Sequence, residues 1–532
     1  MKGDDCHYMD KFYITTAIDY VNGPPHIGHA YEKIATDVIA RHFRQRGAEV
    51  FFLTGSDEHG IKIEKTAAAQ GVPPKEFCDT ISTKFKEAWK LLNISYDRYI
   101  RTTDEDHYKV VQYIFKTLLE KGDIYKASYK GLYCAGCECF LGARELTEDG
   151  CCPDHMSKPQ EVEEENYFFK LSKYKDKIKD HILNNPTFIM PDFRVNEVLN
   201  QLKNTEDISV SRSRTSVNWG IPVPGDDDQV IYVWIDALSN YLTGAGYLFD
   251  EAMFNKFWPA NIQMIGKDIL KFHSIYWIAI LMAMDIDLPQ TIYAHGWITV
   301  NEAKMGKSLG NVISPELLIK EHDLTNSDPL RYFLMTTATF GRDGNYSDED
   351  FKNKVNADLA NNLGNLLNRT LSMLVKYYDG NIIPEIITES TDNELARLTD
   401  STQQTVIEKF NNYAISDAAE TIFVLVDTAN KYINEQAPWT LAKNPETKIR
   451  CGQVLYDVLE VLRQTSIMLF PFIPNISSDI WKQLSMDGDI SEKQWKDLKW
   501  GGLKNGNIAT KESINPVFLR IDSEFADKDQ KR

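Results

Sequence analysis

Residues 12–60, FYITTAIDYVNGPPHIGHAYEKIATDVIARHFRQRGAEVFFLTGSDEHG, confine this chain to few architectures. Phe12 to Val21 is rich in β-branched and aromatic residues and reads as strand. Asn22-Gly23-Pro24-Pro25 breaks it, because proline lacks a backbone donor and disfavours helix at the residue before it. His26-Ile27-Gly28-His29 then leads into Ala30–Arg46, where Ile34, Val38 and Ile39 recur on one helical face. A second apolar run, Val50 to Thr54, ends at Gly55-Ser56-Asp57-Glu58-His59-Gly60. The spacing predicts a β-turn-α-β unit with two histidines and Gly28 at the helix N-terminus. Free N–H groups and the positive end of the helix dipole make such a terminus a seat for an anion, such as a nucleotide phosphate.

Two histidines within four residues are common by chance. A second basic motif far downstream makes the pattern specific: Lys304-Met305-Gly306-Lys307-Ser308, followed by Leu309-Gly310-Asn311. Together they resemble the HIGH and KMSKS signatures of class I aminoacyl-tRNA synthetases. The surrounding residues narrow the resemblance to the methionyl-tRNA synthetase family, over residues 12–475. Two positions depart from it. Gly306 stands where the family loop usually has Ser, and Asp19 where the family often has Pro or Tyr.

At 532 residues the chain is long enough for several domains and more than one core. A hydrophobic content of 43% with 26% charged residues is that of an ordinary soluble protein. The longest apolar run, Ile275–Met284, is too short to span a bilayer and reads as a buried helix. MKGDDCHYMD has no apolar h-region, so no secretory or transit peptide is expected and the location is cytoplasmic. A net charge of -18 argues against indiscriminate coating of nucleic acid. RNA contact must then come from local basic and aromatic patches.

Residues 61–122 read as helices, with Phe77, Ile81, Phe85, Ala88 and Leu92 stepping at three and four residues toward the sheet. Five of the eight cysteines crowd between 134 and 152, which suggests metal rather than disulfides. Cys134-Ala135-Gly136-Cys137 followed by Cys152-Pro153-Asp154-His155 fits a closed, structural Cys3His zinc site. Cys139 and Cys151 are spare and either could replace a ligand; preference for Cys152 over Cys151 rests partly on the resemblance. Glu161–Glu165 reads as a solvated acidic face, and Asn166–Leu171 as a strand. Further βα alternation follows: Val230–Tyr241 runs strand into helix, and Ile262–Ile265 and Thr291–His295 are strand-like. This predicts a parallel sheet with ligands at its carboxyl ends. A GxGxxG fingerprint is absent, which disfavours a dinucleotide enzyme. From Ser314 onward nearly everything reads as helix, and no repeat or low-complexity segment occurs.

The resemblance implies an α/β fold: a class I Rossmann-like catalytic domain split by a zinc-knuckle connective insertion, then an all-α anticodon-binding domain. The expected divisions are 1–122 and 208–300 for the two catalytic halves and 123–207 for the insertion. The KMSKS loop and stem-contact region takes 301–358, and the helical domain 359–532. The implied chemistry is attack of the methionine carboxylate on the α-phosphorus of ATP, then transfer to tRNA-Met. That carboxylate is ionised at neutral pH, so alignment and charge stabilisation matter more than a general base. His26, His29, Lys304 and Lys307 are the expected catalytic groups, the lysines closing as mobile charges on the phosphates. The ATP site adds Gly28, Glu32, Gly266, Asp268 and Ser308, and Mg2+ enters with the nucleotide. Ile18, Tyr20, Trp234, Ala237, Tyr241, Ile269 and His273 fall on the methionine pocket, with Asp57 expected to hold the α-ammonium. An apolar, aromatic wall suits a polarisable thioether. Cys134, Cys137, Cys152 and His155 would hold one structural Zn2+ per chain.

Asn365 and Arg369 lie four apart, on one helix face. By resemblance they and Trp439 read the anticodon, Trp439 by stacking on an unstacked base. The expected partners are ATP, L-methionine and tRNA-Met, with no membrane, and the chain is expected to be a monomer. A class I synthetase for another amino acid, such as cysteine, is the nearest enzymatic competitor. In those enzymes zinc meets the substrate thiolate, whereas here the ligand set is closed. A non-catalytic tRNA-binding protein on the same fold is the competing reading of another kind; intact His26, His29, Lys304 and Lys307 speak against it.

Overall fold

The computed structural model describes residues 10–134, 139–141, 146–153, 156–305, 310–389 and 394–521. Its centre is a parallel seven-stranded sheet of β1 (Lys11–Thr16), β2 (Asp19–Tyr20), β3 (Glu49–Asp57), β4 (Arg98–Arg101), β5 (Ile189–Met190), β6 (Ile262–Gly266) and β7 (Thr291–His295). Across the sheet the order is β4–β3–β1–β6–β7–β5. The run read as one strand from Phe12 to Val21 is two. After Thr16 the chain leaves the ladder, and β2 pairs with β3 past the end of β1, matching Asp19 to Ser56 and Tyr20 to Asp57.

Side chains alternate across the pleat. Phe12, Ile14, Ile262 and Met264 enter the core on the side of α1 (Ile27–Gln45), whereas Tyr13, Phe51, Leu53 and Ile265 enter the core on the opposite face. α1 is buried nearly all round, which its sequence announces only on the Ile34, Val38 and Ile39 face. Its second face is covered by the C-terminal helices. Gln45 Nε2 donates to Ile467 O at 2.9 Å. Fully buried Arg331 donates to Asp37 of α1 at 2.7 Å and to the carbonyls of Leu92, Pro471 and Phe472. One apolar core therefore continues from the sheet into the helical region.

Residues 61–122 hold α2 (Ile61–Ala69), α3 (Pro74–Leu91) and α4 (Glu105–Glu120), with Phe77, Ile81, Phe85, Ala88 and Leu92 buried as their spacing predicts. The all-helical reading of that segment is corrected by β4, which pairs with β3 from Leu53↔Arg98 to Ser56↔Arg101. Four residues, two of them arginine, are too few for a period to register; the neighbouring strand decides their conformation. The acidic run Glu161–Glu165 is also strand, part of Gln160–Phe169 paired antiparallel to Ile124–Cys134. Within the stretch expected to be an insertion, β5 returns to the sheet and pairs with β7.

Ile278–Met284 is helix, preceded by a π-helical turn over Phe272–Trp277, and the stretch is buried apart from half-buried Phe272 and Met282. Beyond residue 314 the helices Asn365–Tyr378, Glu394–Asn411, Ile415–Gln436 and Lys448–Leu469 dominate. Small strands interrupt that helical region: Gly344–Tyr346 pairs with Ile298–Val300, and Asn381–Ile382 with Gly506–Asn507. Among the described residues no helix is long and apolar enough to cross a membrane.

Candidate active site

The N-terminus of α1 is closed by its own histidines. His26 Nδ1 accepts from Gly28 N at 3.1 Å, His29 Nδ1 accepts from His26 N at 3.2 Å, and the rings stack at 3.7 Å. Because both Nδ1 atoms act as acceptors, a neutral ring must carry its proton on Nε2. Capping thus leaves Nε2 as the donor of each neutral ring. A Cβ on Gly28 would lie 3.0 Å from the His26 ring and from Met305 Cε, so any larger residue would make these side chains give way.

That contact joins the two distant motifs. Met305 lies on the turn that His26 caps, and Ile27 N donates to Ile313 O at 2.9 Å. Asn311 Nδ2 reaches back to Lys304 O at 3.1 Å, tying together the two ends of the loop. Lys304 Nζ sits 4.0 Å from the centroid of the Trp297 ring, and Lys267 Nζ 4.2 Å from it. Trp297 Nε1 in turn donates to Asp268 Oδ1 at 3.1 Å, next to Gly266 at the end of β6. Gly306, Lys307 and Ser308 lie outside the described residues.

At the other side of the cleft, Tyr241 OH donates to His273 Nε2 at 2.7 Å, and His273 Nδ1 donates to Ile269 O at 3.0 Å. Complete burial lowers the His273 pKa to about 4, so the ring is neutral and its tautomer is fixed. Trp234 stacks on Phe272 at 3.7 Å, and its ring centre lies 6.4 Å from that of His273. Ile18, Trp234 and Ile269 flank one core cluster, and Ala237 is buried on the helix Val233–Leu238. Tyr20 packs instead with the α1-side core, beside its register partner Asp57 at the carboxyl end of β3. Glu32 is turned inward to His295 Nε2, at 3.0 Å, and to Lys33 Nζ, at 2.9 Å. Burial would raise the Glu32 carboxyl, but Lys33 and His295 outweigh it and hold it below its usual range. Lys33 also bonds Asp19, which burial pushes up to about 7 against the pull of that lysine.

Two groupings escaped the linear reading. Asp236, between Trp234 and Ala237, accepts from His59 Nδ1 at 2.6 Å and from His107 Nε2 at 2.9 Å, all three buried. This fastens the loop after Asp57 to the helix that carries Trp234. Lys267, Trp297 and Asp343 form a rim beside Asp268. His59 and Asp236 were in plain view within SDEHG and VWIDAL, but only proximity gives them a shared task.

Asn365 and Arg369 open the helix Asn365–Tyr378. Arg369 donates to Asn434 Oδ1 and to Asn430 Oδ1 of the helix Ile415–Gln436, each at 2.9 Å. Trp439, 41% exposed, follows that helix. In the cysteine segment, Cys134 and Cys152 are buried, while Cys137 and His155 lie outside the described residues. Among the described residues no cluster of three metal-ligating side chains forms.

Residues 12–162 and 155–371 match the family model described as tRNA synthetases class I (M), and residues 392–518 match that of the anticodon-binding domain of tRNA ligase. The chain is a class I aminoacyl-tRNA synthetase in fold, a parallel-sheet catalytic domain followed by a helical anticodon-binding domain. It belongs to the methionyl-tRNA synthetase family. The methionine–tRNA ligase of Clostridium acetobutylicum is 45% identical over 516 residues, 96% of this chain and 78% of that one. That of Thermotoga maritima is 42% identical over 517 residues, 96% of this chain and 81% of its own. The Mycobacterium tuberculosis methionyl-tRNA synthetase in complex with methionyl-adenylate superposes with a TM-score of 0.89 at 39% identity, over 96% of this chain and all of that one. Its free form gives 0.83 at 36% identity, over 97% and 99%.

Proposed function

We propose that this chain activates L-methionine with ATP and passes the methionyl group to tRNA-Met, the reaction of a methionine–tRNA ligase. A methionine carboxylate oxygen forms a bond to the α-phosphorus, and the bond from that phosphorus to pyrophosphate breaks. In the second step a ribose hydroxyl of the tRNA's terminal adenosine attacks the carbonyl, and AMP leaves. The observation that carries this reading is the meeting of Met305 with Gly28, which brings the lysine-bearing loop onto the histidine turn.

His26 and His29 would donate from Nε2 to the phosphates, and Lys304 and Lys307 would close over them as charge develops. Gly28 lets the nucleotide approach the helix terminus, Gly266 and Asp268 serve the ribose side, and Ser308 ends the closing loop. Glu32 would act through His295 and Lys33. Mg2+ entering with ATP would share the phosphate charge. Asp57 would hold the ammonium, and Ile18, Tyr20, Trp234, Ala237, Tyr241, Ile269 and His273 the side chain. A neutral His273 bonded to Tyr241 suits an uncharged thioether, because an imidazolium there would demand a polar partner.

In the helical domain Asn365, Arg369 and Trp439 would read the anticodon, the first two from one helix face and the third by stacking. Cys134, Cys137, Cys152 and His155 would hold a structural zinc. The full burial of Cys152, against the half-exposed Cys151, supports that choice of ligand, and metal analysis should then find about one zinc per chain. The same reading divides the chain at 122, 207, 300 and 358 and gives it a cytoplasmic location. ATP–pyrophosphate exchange measured with each amino acid tests the whole. Exchange with methionine alone upholds it, exchange with cysteine or leucine moves the substrate, and no exchange favours a tRNA-binding protein.

A further inference from the structure

The cleft's edge beyond β7 carries an aromatic platform that the two reactant sites leave unused. Phe193 follows the edge strand β5 on the short turn Asp192–Arg194 and is 46% exposed. The guanidinium carbons of Arg194 and Arg342 lie 5.1 and 5.2 Å from its ring centre. Arg194 also pairs with Glu197 at 3.1 Å, whereas exposed Arg342 has no ion pair among the described residues. Asp192 opens the turn as an exposed acid, so attraction for an anion rests on the two arginines.

This platform is coupled to the reaction centre through backbone. A Cβ at Gly296 would come within 2.3 Å of the Arg342 carbonyl carbon and oxygen, so the two loops touch directly. The next residue, Asp343, accepts from Trp297 N at 2.9 Å and from Lys267 Nζ at 2.7 Å, and Trp297 reaches Asp268. Moving inward along the rim, cations alternate with aromatic faces on a chain whose net charge is -18: exposed Arg342 and Lys304, and half-buried Arg194 and Lys267, the last bonded to Asp343. Such alternation suits a single nucleic-acid strand, because every base has a face to stack and every phosphate a charge to meet.

We infer that Phe193, with Arg194 and Arg342, is the platform that takes the unpaired 3′ end of the tRNA on its way to the adenylate. One base takes a face of the Phe193 ring by displacing the guanidinium over it, and the flanking phosphates receive the two guanidiniums. The inference rests on the proposed charging reaction, whose second step requires the single-stranded tail to reach the adenylate. A duplex stem would not need an exposed ring at ring-stacking height, since its bases are already stacked.

Four variants test it: Phe193→Ala, Phe193→Leu, Phe193→Trp and Arg342→Ala, each compared with wild type in methionine-dependent pyrophosphate exchange and in charging of tRNA-Met. Phe193→Ala, Phe193→Leu and Arg342→Ala should lower kcat/KM for charging about ten-fold, with exchange held within about two-fold and charging restored in Phe193→Trp. The three weakened variants should also bind intact tRNA no better than the same tRNA trimmed of its unpaired 3′ end, a preference that wild type should display. Unchanged charging, exchange falling in parallel with charging, or rescue by leucine as well as tryptophan would overturn the platform. Wild type that exchanges but never charges tRNA-Met would instead break the functional reading beneath it.

Discussion

Arg331 and Lys304 are both cations held in place by the fold, and they are held in opposite ways. Arg331 is fully buried and spends its guanidinium on Asp37 and four backbone carbonyls drawn from both sides of the domain boundary. Lys304 is exposed and rests on one ring face of Trp297. A buried charge with a complete set of partners is costly to move, because every partner would be left unsatisfied. An exposed ammonium on an aromatic face gives up only about 0.5–1 kcal/mol on leaving. The comparison teaches where rigidity is needed: between sheet and helical domain, and not in the loop proposed to close over a triphosphate.

Replacing Arg331 by Ala should break the contrast most severely. It takes from buried Asp37 one of its two guanidinium partners, leaving Arg41 and Ser95, and leaves the buried carbonyls without their donor, so urea unfolding should report a loss of roughly 3–5 kcal/mol. A loss under about 1 kcal/mol would mean the clamp is decorative. Lys304→Ala should leave the unfolding midpoint nearly untouched while slowing adenylate formation about a hundredfold in single-turnover assays, the scale of removing one transition-state donor. Equal damage to stability and rate would erase the distinction between the two cations.

Acid offers a milder probe of the buried side. Burial alone would raise the Asp37 carboxyl, but Arg41, Arg331 and hydrogen bonding from Ser95 outweigh it and hold it at about 2. Its folded-state pKa is therefore depressed, so its contribution is present above pH 4 and is lost as pH falls toward 2. The sum is roughly 2–3 kcal/mol. Unfolding free energies measured from pH 5 to 2 should show this slope in wild type and a shallower one in Asp37→Asn. Trp297→Leu should give the smallest effect, about 1 kcal/mol in stability for two exposed cation–π contacts. A larger loss would make Trp297 a support of the core instead of a resting face.

The histidine turn was legible because its geometry is local. His26 caps a helix that begins one residue later, and His29 lies within the same turn. Helical spacing likewise exposed the buried face of α3 and the long C-terminal helices. β4 is illegible in sequence because four residues, with arginines at both ends, carry no period of their own. The acidic run at 161–165 is strand paired with Ile124–Cys134, and exposed Glu161 and Glu165 fit the solvated face its charges predict, while the pairing itself has no signal in five consecutive residues of which four are acidic. His59, Asp236 and His107 each looked unremarkable, since positions 59, 107 and 236 have no relation in sequence.

By itself, then, the order of residues determined the elements that close on near neighbours: a capped helix after a strand, and the stepped apolar face of α3. Hydrogen bonds and apolar periods within a few residues suffice for those. Tertiary structure alone decided that Met305 rests on Gly28, that Arg331 joins two domains, and that Phe193 meets a second guanidinium from Arg342. Those contacts form only when the sheet and the helical domain bury a common core, and burial depends on the whole chain.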